Sequence, residues 1–212
     1  MEITWYGLSC FRLTERGSAP IVTDPFDAST GLGALRAKGD IVTVSHYAPG
    51  HGAAASVNGQ RYVLDRPGEY EIGGVFITGI ATYNAVSPDS SRLNTVFVYE
   101  IGGVQVCHIG DFDHVPDQSQ VEAAGAIDVL LIPVGGGRAL SSSAASEVIS
   151  VIEPRIVIPM HYAQPGLQLN LDPLDRFMKE MGGIVVEPQS SLKVTRNSLP
   201  EDTQVVILES VN

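Results

Sequence analysis

His46 and His51 sit together in a loop that follows Val42-Thr43-Val44-Ser45, an apolar run rich in β-branched residues. His161 follows Ile156-Val157-Ile158-Pro159-Met160, and Asp111 follows Val104 to Val106 and then Cys107-His108-Ile109-Gly110. Short runs of this kind predict buried strands. Loops at the carboxyl ends of strands are where α/β folds gather groups that touch ligands. Imidazole nitrogens and a carboxylate delivered there from separate strands are the donor set of zinc and related divalent ions. A single histidine at a strand end is ordinarily a hydrogen-bonded structural residue, so the metal reading rests on the four together.

The order of further short motifs adds to this. Trp5-Tyr6-Gly7 is followed by Ser9-Cys10-Phe11, then by Thr23-Asp24-Pro25 and the histidine loop. After these come Pro67-Gly68-Glu69-Tyr70-Glu71-Ile72-Gly73-Gly74, Gly110-Asp111 and Pro159-Met160-His161. On these residues, 1 to about 162, the chain resembles the metallo-β-lactamase fold family. It is most similar there to the small metal-dependent hydrolases, the branch that includes ascorbate-6-phosphate lactonase. The resemblance implies an α/β fold, a four-layer αββα sandwich, and a metal-dependent hydrolase as its occupant. Activity itself does not follow from the fold, because one fold hosts many reactions.

The resemblance also implies a ligand set, and the chain departs from it. The family loop reads His-any-His-any-Asp-His, and its positions here hold His46, Ala48, Gly50 and His51. A further family histidine matches Asn84, and the one often found after Trp-Tyr-Gly matches Leu8. What remains is His46, His51, Asp111 and His161. One family metal position has lost two of its three histidines, whereas the other keeps His51, His161 and Asp111, with open positions for water and substrate. Asp111 together with one bound hydroxide balances one dication, whereas two dications would leave a large uncompensated positive charge. The expectation is therefore one divalent metal at most, zinc or manganese, held by His51, Asp111 and His161. Asp111 is also expected to be catalytic through that metal, and His46 to be a fourth ligand or a proton carrier. The alternative is a chain that has lost the metal and keeps the fold for binding alone.

Other residues take supporting roles by the same resemblance. Asp24 is expected to orient a ligand histidine, although Asp before Pro is also an ordinary turn residue. Tyr47, Asn84 and His114 are candidates for the pocket wall, and His108 for a structural role. Substrate selection is expected in the loops 29–38 and 85–93.

Composition narrows the partners. With 13 Lys and Arg against 24 Asp and Glu, the formal net charge is −11, and no basic run offers the clustered cations that a phosphate backbone needs. A small-molecule substrate or ligand is expected instead of nucleic acid. No apolar stretch approaches the length of a membrane span. The sequence opens on a strand without a basic, then apolar, leader, and the reading is cytoplasmic. Cys10 and Cys107, both in apolar strand contexts, are read as reduced thiols. No sequence feature fixes an oligomeric state.

The elements that must position these residues can be read as well. Strands are expected near 2–6, 10–14, 20–23, 41–44, 61–64, 69–72 and 75–80, and again near 94–100, 104–108, 127–132, 156–158, 184–186 and 204–209. Helices are expected over 117–124 after Pro116, over 141–152 between a serine-rich start and Pro154, and over 174–181 before Gly182-Gly183. No linker-like stretch separates them, so residues 1–212 are read as one domain.

Overall fold

The computed structural model describes residues 1–83 and 93–211. It opens with a hairpin of β1 (Glu2–Gly7) and β2 (Cys10–Thr14), in which Ile3 and Trp5 alternate with half-buried Thr4 and Tyr6. β3 (Ile21–Thr23), β4 (Ile41–Thr43) and β5 (Tyr62–Leu64) then lie parallel to one another. β6 (Gly68–Ile72), β7 (Val75–Tyr83), β8 (Leu93–Ile101) and β9 (Val104–His108) form an antiparallel meander. β10 (Val129–Pro133) and β11 (Ile156–Met160) continue parallel to β9. The short β12 (Leu192–Lys193) and β13 (Gln204–Val205) pair with β1 and β11 at the far edges. The result is two sheets, ordered β12-β1-β2-β3-β4-β5 and β13-β11-β10-β9-β8-β7-β6.

Every residue of β3, β4, β10 and β11 is buried. Parallel strands covered on both faces read as continuous apolar runs rather than as alternation, and those runs are the ones that point to the site in the sequence. Their carboxyl ends finish level: Thr23 lies opposite Thr43, Leu131 opposite His108, and Pro133 opposite Met160. The loops leaving β3, β4, β9 and β11 carry Asp24, His46, Asp111 and His161 in turn.

The inner faces of the sheets share one apolar cluster, with Ile3, Trp5, Phe11 and Ile41 from one and Ile77, Phe97, Tyr99 and Val106 from the other. A hydrogen bond of 2.6 Å between the hydroxyls of Thr43 and Tyr99 crosses this interior. α1 (Gln118–Ala124) and α2 (Ser142–Ile152) cover the outer face of the second sheet, and α3 (Leu174–Glu180) packs on α2. Asp117 caps α1 through a reciprocal pair with Gln120, and Ser141 caps α2 by accepting from the Ala144 amide. Over the first sheet the outer layer is extended chain with two 3-10 turns, Ala28–Thr30 and Ala54–Ser56. It seals a second cluster around Leu8, Cys10, Phe26, Val42 and Val44.

One expected strand is absent. Residues 184–186 form no strand, and Val185 is 91% exposed. A β-branched run needs a neighbouring strand and a covered face, and this one leaves Gly182-Gly183 with neither. The edge of the first sheet is filled instead by Leu192–Lys193, two residues too short to show a period.

Replacing Tyr99 by Phe removes the hydroxyl that spans the sheets and leaves Thr43 Oγ1 buried without it. The expected loss is about 1–2 kcal/mol of unfolding free energy in a denaturant titration. A change below a few tenths would mean that this bond contributes nothing net.

Candidate metal centre

The chain turns sharply at the end of β3. Asp24 has φ +33°, its amide donates to Thr43 O at 2.9 Å, and Pro25 follows. This aims the carboxylate back under the histidine loop, where it is 1% exposed. Three donors meet it there: the Ser45 amide at 2.7 Å, the Ser45 hydroxyl at 2.5 Å and His51 Nδ1 at 3.0 Å. With its single proton given to Asp24, Ser45 Oγ can only accept from His46 Nδ1, 3.0 Å away. Both histidines thus carry their proton on Nδ1 and turn the Nε2 lone pair towards Asp111.

Asp111 hangs from a turn that only glycine can make at Gly110. There φ is +60°, and a Cβ would lie 2.4 Å from Asn94 Oδ1 and 2.7 Å from Ser45 Oγ. Asn94 Oδ1 accepts from the Asp111 amide, while its own amide donates to Thr82 Oγ1 and Ile109 O, each at 3.0 Å. Around the Asp111 carboxylate stand His46 Nε2 at 3.4 Å, His51 Nε2 at 3.5 Å and His161 Nδ1 at 3.4 Å. The rings of His46 and His51 are 4.3 Å apart, and those of His51 and His161 are 5.0 Å apart. His161 itself has φ +52°, its amide donates to Leu8 O, and its Nδ1 is 3.3 Å from Ser9 Oγ.

These separations fit a shared cation. Nitrogen and oxygen donors bond zinc at about 2.0–2.2 Å, so two of them on one tetrahedral ion stand about 3.3–3.6 Å apart. Direct hydrogen bonds between the same atoms are shorter, about 2.7–3.2 Å. His51, Asp111 and His161 offer three ligand atoms close enough for one ion. Asp24, His46 and His51 also lie close enough, but the three donors on Asp24 already use that carboxylate. We read this second group as the support that orients the first.

Electrostatics favour neutral imidazole at His161. Burial pushes His161 down to about 4, with Asp111 pulling it up and His51 pushing it further down. Burial lowers His108 as well. Asp24 would be raised by burial alone, but His108, His51 and His46 together hold it below the usual carboxylate range. His108 is a structural member: it accepts from the Gly110 amide at Nδ1, so its Nε2 donates to Ser9 O at 2.9 Å.

The other residues read from the sequence lie elsewhere. Tyr47 is 66% exposed and donates its hydroxyl to Asp65 at 2.8 Å. His114 bonds Asp113 through Nδ1 at 2.9 Å and stacks near Phe112. Neither lines the cleft over the metal cluster. Asn84 and most of the loop 85–93 fall outside the described residues. Gly50 is buried with φ +95°, a conformation that penalises any other residue, and a Cβ there would sit 3.1 Å from Leu8 Cδ1. Asn94, Ser45 and Ser9 were not singled out from the sequence. Mid-strand or single hydroxyl residues carry no spacing signal, and only the assembled loops show their roles.

A cleft of about 260 Å³ opens over the cluster. His51, Asp111 and His161 form its floor, Ala48 and Pro49 one wall, and Leu169 to Leu171 the other, with Gly137 and Arg138 at the rim. A larger hollow of about 710 Å³ lies by Gln105, Asp128 and Arg155, at the amino ends of β9, β10 and β11 and away from every ligand histidine. Size alone would favour the larger one, but His51, Asp111 and His161 line the smaller.

Comparison with known proteins agrees with this geometry. Residues 2–161 match a family model described as the beta-lactamase superfamily domain. The chain is similar to a UPF0173 protein of Pyrococcus furiosus, 30% identical over 201 residues, 85% of this chain and 90% of that one. It is also similar to a UPF0173 metal-dependent hydrolase of Methanoculleus marisnigri, 28% identical, covering 92% and 97% of the two chains. Among solved structures, a Thermotoga maritima protein assigned as a Zn-dependent hydrolase of the metallo-beta-lactamase superfamily superposes with a TM-score of 0.81. It is 38% identical, over 98% of this chain and 97% of that one.

The His161 environment sets a pH dependence for the metal-free protein. Its imidazole titrates near about 4 when folded and near about 6.5 when unfolded. Between these values the unfolded chain binds more protons, so stability is complete above about pH 6.5 and falls as pH drops towards 4. Up to roughly 3 kcal/mol is at stake. Melting temperatures of chelator-treated protein should therefore fall more steeply below pH 6.5 than those of His161→Asn, which tolerates the same φ. Parallel curves would refute the assignment.

Proposed function

Because the chain belongs to the beta-lactamase superfamily and, within it, to the metal-dependent hydrolases, we propose that it hydrolyses a small molecule with at most one divalent metal per chain. The observation that carries this reading is the convergence of His51 Nε2, His161 Nδ1 and His46 Nε2 on one carboxylate at 3.4–3.5 Å. His51, Asp111 and His161 would hold the metal, zinc or manganese, with His46 as a fourth donor or a proton carrier.

When bound, such a metal polarises a carbonyl or phosphoryl oxygen and makes water acidic enough to attack at neutral pH. The chain's own residues do the rest. Asp24 holds His51 in the tautomer that exposes Nε2, and through Ser45 it does the same for His46. Asn94 fixes the Asp111 backbone. His46, if not a ligand, stands 3.4 Å from Asp111 Oδ2 and can exchange a proton there. The apolar walls at Pro49, Leu169 and Leu171 limit water around the reacting group.

One metal rather than two follows from Ala48 and Gly50, which stand where the family loop has histidine and aspartate. The motifs shared with the ascorbate-6-phosphate lactonase branch make lactones the first substrates to try, with phosphodiesters and β-lactams after them. The same two positions support a second reading, a binding protein that has given up the metal.

Metal content separates these readings. Protein purified without chelator or histidine tag is expected to hold no more than one equivalent of zinc or manganese by elemental analysis. His51→Ala and His161→Ala should each abolish binding, and Asp24→Asn should weaken it about 10- to 100-fold. Two tightly held ions would refute the stoichiometry. A wild type that binds neither metal in calorimetry would refute the hydrolase.

A further inference from the structure

The rim of the cleft carries one feature that the metal chemistry leaves unused. Arg138 is the one Lys or Arg among the described residues that line it. Its side chain is exposed and, among the described residues, enters no ion pair or hydrogen bond.

The turn that presents it is tied to the metal cluster. Gly135 donates its amide to His161 O at 3.1 Å, and its carbonyl accepts from the Asp172 amide at 2.8 Å. A Cβ on Gly135 would lie 2.3 Å from His161 O, so the two backbones run in contact. Gly136 donates to Leu140 O at 2.9 Å, and Gly136 and Gly137 both take positive φ, +68° and +73°. The backbone of the turn is thus tied to the ligand strand, and it brings Arg138 to the lining of the cleft that also holds His51, Asp111 and His161.

We propose that Arg138 is the anchor for an oxyanion on the substrate, a carboxylate or phosphate group placed next to the bond to be cut. The proposal rests on the hydrolase reading above and names its substrate class. Three observations support it. The chain carries a formal net charge of −11, which repels small anions in general, so an unpaired guanidinium beside the cluster is a local reversal of that field. Guanidinium matches the geometry of carboxylate and phosphate through two parallel hydrogen bonds. The cleft, at about 260 Å³, falls just below the usual range of ligand pockets, about 300–1,000 Å³. It thus takes a small metabolite with its acidic group at the rim, rather than a polymer.

The test uses binding, so that it does not depend on finding the substrate. Full-length protein, loaded with zinc and separately freed of it, is titrated at low salt with inorganic phosphate and with succinate. The same titrations are made on Arg138→Ala and Arg138→Lys, with zinc content measured in each. Wild type is expected to bind at least one of these anions 10-fold or more tightly than Arg138→Ala, with Arg138→Lys between them and zinc content equal in all three. Preference for phosphate or for succinate then tells which acidic group the substrate bears. Equal affinity in wild type and Arg138→Ala, or no binding of either anion to wild type, overturns the proposal. Arg138-dependent anion binding by a protein that takes up no zinc would refute the hydrolase and leave the anion site standing.

Discussion

A carboxylate that is almost wholly out of water must be satisfied by donors, and Asp24 meets that requirement with the groups that build the site. Its two oxygens take the Ser45 amide, the Ser45 hydroxyl and His51 Nδ1. Removing any of these donors leaves buried negative charge short of a partner, which costs more than the bond itself is worth. The histidine loop is therefore held in one arrangement by the needs of a residue that touches no substrate. Asp111, which follows β9 of the other sheet, depends in the same manner on Asn94, whose amide group bonds β7, Ile109 just after β9 and the Asp111 turn together.

The backbone around this network is strained. Among the described residues, four that are not glycine have positive φ, and three of them are Leu8, Asp24 and His161. Such conformations cost of order 1–3 kcal/mol each and persist only where packing overrules them. Here the overruling groups are visible. Leu8 is fully buried, and its carbonyl accepts from Trp5 Nε1 at 3.0 Å and from the His161 amide at 3.1 Å. Leu8 and His161 thus brace one another between the two sheets, while Asp24 is held by Thr43 and its own donors.

Much of this was legible in advance, for a physical reason. Strands buried on both faces stand out as apolar runs, and the polar residues that end them are easy to locate. That made Asp24, His46, Asp111 and His161 visible, and the helices were marked by their caps and by Pro154. Residues whose importance comes from contact alone left no trace. Asn94 reads as an ordinary polar position in β8, Ser45 as a residue before a histidine, and Arg138 as a charge after glycines. Tyr47 shows the opposite case: next to His46 in the chain, it lies past the end of β4 in the bend and points to Asp65 on the surface.

The two thiols give the sandwich an internal reporter. Cys10 belongs to the first sheet and Cys107 to the second, and both are fully enclosed. Burial pushes Cys107 up to about 12 and raises Cys10 as well, so neither presents thiolate while its sheet is closed. A thiol reagent can then react only when one layer opens. Because each layer holds one cysteine, the order in which the two are modified records which half of the molecule breathes first.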